Sequence, residues 1–438
     1  MLFRTGLVRR PRLRGRQLIA SATLLLACSS FPAGAPSAGA ARFVAIAWSD
    51  FQQGHGFVQR FATEAPWAFD AGAIAVGGSP SLRFAGNRLY AVGGADGSVA
   101  AIDCQSWSVA RVYLLGAQSQ LLDIAVVGSQ VAYLTTRDST QLLRLNLATG
   151  IAQQALDVAG FENPGGILAA GMMAVDAGRL IVQVSRFESS ATDAGSAVGP
   201  TGYLAVVDIA SGQLVDVDPI QPGIQAIALQ GTFPKYRMKL LRDPRRLYLS
   251  ASGEYFDEGG LEEVDLDALA SLGLVIAEAD GNTAADLGSF AMVAPDRGFL
   301  VSSTDFAPSS HLSRFSFTGG VQLEELFVTV NYRVPTMVHD PQTHTVFVPD
   351  GGTTNAYSIF DADTGERLNR DPLLLGGPAT DIELLCDPEQ SCDCAVGYGC
   401  TPVPAFSNRG LALLCLALIA TGVAFGSVRL ASPPACAE

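Results

Sequence analysis

Histidine residues are the first candidates for chemistry in this chain, because they can bind metals or transfer protons near neutral pH. His339 and His344 flank the tetrapeptide Asp-Pro-Gln-Thr, which is typical of a tight turn leading into a strand. The pair could hold a metal ion, but no third ligand lies nearby in the sequence, so two exposed turn histidines are the favoured interpretation. His311 would need a partner for acid–base chemistry that the sequence does not place.

Aspartates offer two possible cation sites. Segment 361–366, Asp-Ala-Asp-Thr-Gly-Glu, carries the oxygen ligands of a calcium loop, but it is shorter than such a loop and also suits a β-turn. Asp123, Asp286 and Asp381 each begin a predicted inner strand, so a ring of carboxylates could hold a cation in a central channel. A solvated channel wall is favoured over this ring, and no metal or other cofactor is predicted.

Motifs of known catalytic sites are missing from the sequence. There is no nucleophile elbow, phosphate-binding loop or zinc-protease motif. An acidic cluster around Gly259 and Gly260 is interpreted as a solvated hairpin tip; it consists of Asp257, Glu258, Glu262 and Glu263. No catalytic, cofactor-binding or metal-binding residue is therefore assigned, and the chain is predicted not to be an enzyme.

An N-terminal signal peptide is predicted over residues 1–27. This segment contains six arginines and no acidic residue, ends in an apolar stretch, and precedes a linker (28–41) rich in Ala, Gly, Ser and Pro. The apolar stretch is too short to span a bilayer, so it predicts export rather than anchoring. Cleavage could fall before Cys28, which would then be lipidated as in bacterial lipoproteins, or after Ala40; both possibilities stay open.

Four cysteines in the segment 386–408 predict a disulfide-bonded stalk. They are Cys386, Cys392, Cys394 and Cys400. An exported chain meets an oxidising compartment in which such thiols pair, although three pairings are open. A zinc site is the alternative, but the Cys-x-Cys spacing lacks the usual two-residue gap.

A second apolar run predicts a transmembrane helix over 409–430, followed by a short tail, 431–438. Between Arg409 and Arg429 lie 19 uncharged residues, enough to cross a hydrocarbon core of about 30 Å at about 1.5 Å per residue. A buried core helix is the alternative. The Cys-rich stalk, this helix and Arg429 together resemble MYXO-CTERM sorting tails, which implies display on the outer surface of a bacterial cell. The chain departs from that pattern in having a single arginine and a tail beyond it.

The middle of the chain, 42–385, consists of short apolar stretches separated by Gly, Asn, Asp and Ser, which predicts an all-β fold. A strand with a polar lead-in occurs seven times, starting at Arg42, Asn87, Ser129, Gly178, Pro244, Arg297 and His344. The strand that follows ends in a polar residue at Asp103, Asn146, Asp208, Asp265, Ser316 and Asp361. These end residues are 43 to 62 positions apart, and a period of about 40–50 with insertions indicates one four-stranded blade per repeat.

This repeat predicts a seven-bladed β-propeller over 42–385, with six or eight blades as alternatives. The strand ending Xaa-Asp-Xaa-Xaa-Thr/Ser-Gly resembles YVTN-type propellers, which also occur in quinoprotein-like and surface-layer proteins, although the YVTN tetrapeptide is missing. Strand 380–385 is predicted to be the innermost strand of a blade completed by residues 42–74. Insertions at 187–201 and 218–239 are predicted to form long rim loops, the second with both lysines of the chain.

The combined features predict an exported, envelope-anchored bacterial propeller that binds a protein, glycan or matrix ligand without catalysing a reaction. The net charge of −14 argues against nucleic acid as a partner, because phosphate binding needs a basic surface. An envelope enzyme, such as a quinoprotein-like dehydrogenase or a lactonase, is one alternative, and a structural surface-layer component is another.

Overall fold

The computed structural model describes residues 42–385 except for 95, 117–119, 138, 162–168, 186–187, 190–196, 199–201, 232, 253–258, 279–284, 305–309, 330–335 and 350–354. The predicted signal peptide, Cys28, the four stalk cysteines and the helix predicted over 409–430 all lie outside the described residues. Within the described part, no helix has both the length and the apolar character needed to cross a membrane.

The described strands form seven antiparallel blade sheets and one separate two-stranded hairpin, which confirms the predicted all-β propeller and its seven blades. The chain begins with β1 (Phe43–Asp50), β2 (His55–Ala62) and β3 (Ile74–Val76). Blade 1 consists of β4 (Pro80–Ala85), β5 (Arg88–Gly93), β6 (Ser98–Asp103) and β7 (Ser108–Leu114), and blade 2 of β8 (Leu121–Val126), β9 (Val131–Thr136), β10 (Gln141–Asn146) and β11 (Ala152–Asp157). Blade 3 consists of β12 (Ala169–Asp176), β13 (Arg179–Ser185), β16 (Gly202–Asp208), β17 (Gln213–Leu214) and β18 (Ile227–Ala228). Between β13 and β16 lies a separate hairpin, β14 (Glu188–Ser189) and β15 (Ala197–Val198). A short 3-10 turn, Val158–Gly160, follows β11.

Blades 4 to 6 repeat the same order from the innermost strand outward. Blade 4 consists of β19 (Phe233–Arg242), β20 (Arg245–Ser252), β21 (Gly260–Asp265) and β22 (Ala270–Ala277). Blade 5 consists of β23 (Ala285–Ala294), β24 (Arg297–Thr304), β25 (Ser310–Ser316) and β26 (Gln322–Thr329). Blade 6 consists of β27 (Val338–Asp340), β28 (Thr345–Pro349), β29 (Ala356–Asp361) and β30 (Leu373–Leu374). The last strand is β31 (Ala379–Leu385).

Blade 7 closes the ring with strands from both ends of the propeller. β31 pairs antiparallel with β1, from Phe43 opposite Leu385 to Trp48 opposite Ala379, and β2 and β3 complete the sheet. This arrangement confirms the predicted latch. Because the latch joins the two ends by a hydrogen-bonded ladder, the ring leaves no inner strand without a neighbour.

Apolar side chains pack between neighbouring blades. Both faces of a blade are covered, so the second strands are continuous apolar runs rather than alternating ones; residues 44–47 of β1, for example, are fully buried. Between blades 6 and 7, the ring of Phe61 contacts Phe347 and Tyr357 edge-on, with centroids 5.6 Å and 5.2 Å away. The repeated runs found in the sequence are thus the interfaces that hold the ring together.

Each blade has two ends, which form the two rims of the propeller. Counted from the channel outward, the strands of a blade are its inner, second, third and outer strands. The turn rim carries the connections from inner to second strands and from third to outer strands. The loop rim carries the connections from second to third strands and from each outer strand to the next blade. Turns such as 86–87 and 177–178 are tight and lie on the turn rim. The longer connection from β13 to β16 starts and ends on the loop rim, whereas the segment between β17 and β18 leaves the outer edge of blade 3 opposite Val207 and rejoins it opposite Leu204. Both ends of the propeller, Arg42 and Leu385, lie on the turn rim.

The predicted insertion 218–239 is only partly a loop. Residues from Phe233 onward belong to β19, the innermost strand of blade 4, so Lys235 and Lys239 lie on an inner strand and not on a rim loop. The lysines and arginines of β19 interrupt its apolar residues, so the apolar pattern of the sequence did not predict this strand. An inner strand tolerates them because its side chains can reach the central channel.

Candidate functional site in the central channel

Charged side chains from four inner strands meet in the central channel. β4 contributes Arg83, β8 contributes Asp123, β19 contributes Arg237, and β31 contributes Asp381 and Glu383. The sequence predicted the two aspartates at this place. The two arginines and the glutamate were missed, because only the closed ring brings these inner strands of different blades together.

Arg237 spans the channel. Its Nη1 pairs with Glu383, and its Nη2 pairs with Asp381 and donates to the carbonyl oxygen of Leu82. Arg237 belongs to blade 4, whereas its partners belong to blades 7 and 1, on the opposite side of the ring. With 20% of its side chain exposed, Arg237 bridges distant blades inside the channel.

Burial and ion pairing act against each other on this bridge. Burial by itself lowers the pKa of Arg237, but the charges of Asp381, Glu383 and Asp123 raise that pKa above its ordinary value. Burial raises the pKa of Glu383, and the charges of Arg237 and Arg83 only partly offset this rise. Arg237 therefore stays charged, while Glu383 takes up a proton at a higher pH than an exposed glutamate does.

Asp123 and Asp381 are buried, so the predicted solvated channel wall is wrong for both. Asp123 is 0% exposed; it accepts from the backbone N–H of Met173 at 2.8 Å and pairs with Arg83 at 2.8 Å. Because Met173 belongs to the next inner strand, this carboxylate ties blade 2 to blade 3. The side chain of Asp286, the third predicted channel aspartate, lies outside the described residues.

Asp381 makes the equivalent link between blades 7 and 1. Its Oδ2 accepts from the backbone N–H of Leu82 at 2.6 Å, and its Oδ1 accepts from the hydroxyl of Thr336 at 2.6 Å. The carboxylates that could have ligated a cation are therefore committed to backbone amides and arginines. Among the described residues, no group of three or more metal-ligating side chains is present.

His339 and His344 do not form a pair. His344 is exposed, and its Nδ1 lies 3.6 Å from Asp363 Oδ2. His339 lies on β27 and is only 9% exposed, so its interpretation as an exposed turn histidine is wrong. Burial and then the positive charge of Lys239 lower the pKa of His339 to about 4. Its Nε2 has no hydrogen-bond partner among the described residues.

The calcium-like segment 361–366 is a turn. Asp361 Oδ1 accepts from the backbone N–H of Asp363 and of Thr364, at 3.0 Å and 2.7 Å, and from the Thr364 hydroxyl at 2.9 Å. Asp103 and Asp208 bind the amides after them in the same way. In blades 1 to 6, the polar residue that ends the third strand thus closes the next turn, which explains the repeated ending found in the sequence.

Arginines on the turn rim clamp the turns of neighbouring blades. In each case the guanidinium donates to a backbone carbonyl in the third-to-outer turn of the next blade. The pairs are Arg60 with Cys104 (2.5 Å), Arg111 with Leu147 (3.0 Å), Arg179 with Leu266 (3.3 Å) and Arg314 with Asp363 (2.6 Å). These contacts join blades through backbone groups, without a carboxylate.

The acidic cluster predicted as a solvated hairpin tip is partly buried. Glu262 is 0% exposed and accepts from the backbone N–H of Gln230 and Gly231, at 2.9 Å and 3.0 Å. Glu263 pairs with Arg246 at 3.0 Å. Both glutamates belong to β21, where they bind neighbouring structure; Asp257 and Glu258 lie outside the described residues.

Comparison with known proteins supports the fold alone. No protein-family model matches the chain, and no curated protein matches it. A solved protein from Lactobacillus plantarum has a TM-score of 0.54 at 15% identity, over 79% of this chain and 99% of its own. A candidate 6-phosphogluconolactonase from Bacteroides fragilis has a TM-score of 0.53 at 12% identity, over 80% of this chain and 100% of its own. The resemblances to YVTN-type propellers and MYXO-CTERM tails stay predictions.

Proposed function

We propose that the chain is a non-enzymatic binding module of the bacterial cell surface, with a protein, glycan or matrix component as its ligand. The observation that carries this proposal is the pairing inside the channel. Arg237 crosses it, and Asp123, Asp381 and Glu383 are engaged by arginines. These pairs give each of the three carboxylates a partner within the folded chain, which supports a structural role for them.

The position of the chain ends supports an orientation for this module. Both ends of the propeller lie on the turn rim, so the predicted stalk (386–408) and helix (409–430) would leave from that rim. The loop rim would then face away from the membrane, where its longer connections can reach a ligand. A large apolar side chain, Phe51, is exposed on this rim, at 66%.

The proposal is tested with the purified full chain in detergent, by biolayer interferometry against surface polysaccharide and outer-membrane protein fractions of the source cells. Phe51→Asp is expected to weaken saturable binding at least tenfold. The matched control is Ile151→Asp, since Ile151 is 64% exposed but lies on the turn rim. A stoichiometric quinone or metal in absorbance and metal analysis, or turnover of a lactone, would instead support the enzyme alternative.

A further inference from the structure

We propose that β7, the outer strand of blade 1, is a docking edge on which a second copy of this chain adds its own β7 in antiparallel orientation. This contact goes beyond the proposed function, which concerns ligand binding on the loop rim.

An apolar stripe runs along β7. Val109, Val112 and Leu114 are 40%, 50% and 80% exposed. Val112 lies opposite Ala100, which packs between blades 7 and 1, so this face of β7 is turned toward blade 7. The register shift before Arg111 places Val109 on the same face. The outer strand of blade 7, β3, has only three residues, so the stripe stays exposed.

The backbone of β7 is open along the same residues. In the described part of the chain, β7 pairs with β6 on one side and has no strand on the other. The N–H of Leu115 donates to the carbonyl oxygen of Gly97 at 2.9 Å. Bonded and non-bonded pairs alternate along an antiparallel ladder, so Tyr113 bonds to β6. The N–H and C=O groups of Val112 and Leu114 therefore point outward, at the open edge.

The other outer strands in the described part of the chain are less suited to pairing. β3, β17 and β30 have only two or three residues. β26 carries Glu324 and Glu325, both 57% exposed, and β22 has two register shifts and Gly273 at a positive φ. β11 exposes Gln153 and Gln154. Short strands, charges and bulges keep sheet edges from pairing, and β7 has none of them from Arg111 to its end except the arginine itself.

The arginine does not protect this edge, because its charge is used elsewhere. Arg111 donates to Leu147 and Ala148 of blade 2, on the opposite face of β7 from the apolar stripe. Between Asp103 and Asp123 the sequence has no acidic residue. Two copies of a chain with a net charge of −14 repel each other in general, but at β7 they meet without a pair of like charges.

A second copy fits this edge because β7 is complementary to itself. The open edge calls for an extended strand with its own free N–H and C=O groups and apolar side chains on one face. With a two-fold axis at Val112, this residue lies opposite Val112 of the partner subunit, and Leu114 lies opposite Ala110 of the partner subunit. Side chains of directly opposed residues share a face, so the two apolar stripes become one patch.

The first test is size-exclusion chromatography with light scattering, on the full chain in detergent over a hundredfold range of concentration. We expect a dimer that dissociates on dilution and that high salt does not weaken, because the contact is apolar and backbone-mediated. Val112→Lys and Leu114→Lys should each weaken dimerisation at least tenfold. The matched control is Leu272→Lys, since Leu272 is 54% exposed on another outer strand, β22, and should have no effect.

The second test reads the register by cysteine cross-linking under oxidising conditions. Val112→Cys places two thiols on residues whose Cα atoms lie about 5.5 Å apart, within the range of a disulfide. Leu114→Cys is the matched control, because its two copies would be offset by four residues, about 14 Å. We expect a cross-linked dimer beyond the wild-type background for Val112→Cys alone.

A wild-type chain that stays monomeric at every concentration would overturn the proposal and leave the edge to a strand of another protein. Equal dimerisation of wild type and Val112→Lys would also overturn it, since the contact would then lie elsewhere. If the lysine variants fail to fold, the cross-linking decides: a Val112→Cys chain that cross-links no more than Leu114→Cys contradicts the pairing of β7 with itself.

Discussion

The turn rim and the central channel both use arginine to join blades, but in different surroundings. On the turn rim, Arg111 donates to carbonyl oxygens of Leu147 and Ala148, next to solvent. In the channel, Arg237 pairs with Asp381 and Glu383, which protein surrounds. An exposed contact competes with water and contributes little, whereas a buried charge left alone is costly. The same residue type should therefore matter very differently in the two regions.

The largest expected effect comes from breaking the channel bridge. Arg237→Met leaves the buried Asp381 without its guanidinium, and we expect the free energy of unfolding to fall by about 3–5 kcal/mol, measured by urea denaturation. Adding Asp381→Asn and Glu383→Gln should recover part of this loss, because no charge then stays buried and unpaired. A loss below about 1 kcal/mol for Arg237→Met would contradict this prediction, because it would show that the channel bridge contributes no more than an exposed ion pair.

Lowering the pH should reduce the free energy of unfolding, because His339 is buried in its neutral form. In the unfolded chain this histidine has an ordinary pKa of about 6.5, whereas in the folded chain the pKa is lowered to about 4. Between these values the unfolded state binds more protons, so stability falls as the pH falls, by roughly 3 kcal/mol in total. Chemical denaturation in chloride buffers from pH 7 to pH 4 measures this, and His339→Gln should flatten the slope relative to wild type.

A turn-rim clamp should have a smaller effect. Arg111→Ala removes the two hydrogen bonds to the turn of blade 2 and the stacking on Tyr113, whose ring centroid lies 5.0 Å from the guanidinium. We expect a loss of about 1–2 kcal/mol in thermal or urea unfolding. Arg111→Lys should recover less than half of it, because an ammonium cannot reproduce the planar fork. If Arg111→Ala lowered the free energy of unfolding as much as Arg237→Met, arginines of the turn rim and of the channel would contribute equally to stability, which contradicts the prediction.

The smallest effect is expected at an exposed ion pair of the turn rim. Arg297 and Asp363 lie 2.9 Å apart, with side chains 45% and 50% exposed. Arg297→Ala should change the free energy of unfolding by less than about 0.5 kcal/mol, and 0.5 M salt should abolish the difference from wild type. A larger, salt-resistant loss would show that this pair supports the neighbouring turn as well.

Sequence reasoning succeeded where the relevant contacts are local or repeated. The polar residue at the end of a third strand binds amides two and three positions later, as Asp361 does, so it marks blades 1 to 6. The repeated second strand gave the count of seven, because the third strand of blade 7 ends at Ala62. Sequence reasoning failed to predict which polar residues are buried, because the same residue type occurs both on the surface and between blades. His339 and Glu262 look like surface residues in the sequence, yet both are buried, because burial depends on the neighbouring blade.

The sequence by itself determined the all-β fold, the seven blades and the latch between β1 and β31, because each blade repeats its own pattern of apolar strands and polar turns. Only the tertiary structure decided what the channel contains. Arg237 and Asp381 are 144 positions apart, and no periodicity relates them. They meet because ring closure places blade 4 opposite blades 7 and 1, so the chemistry of the channel is a property of the closed ring and not of any single repeat.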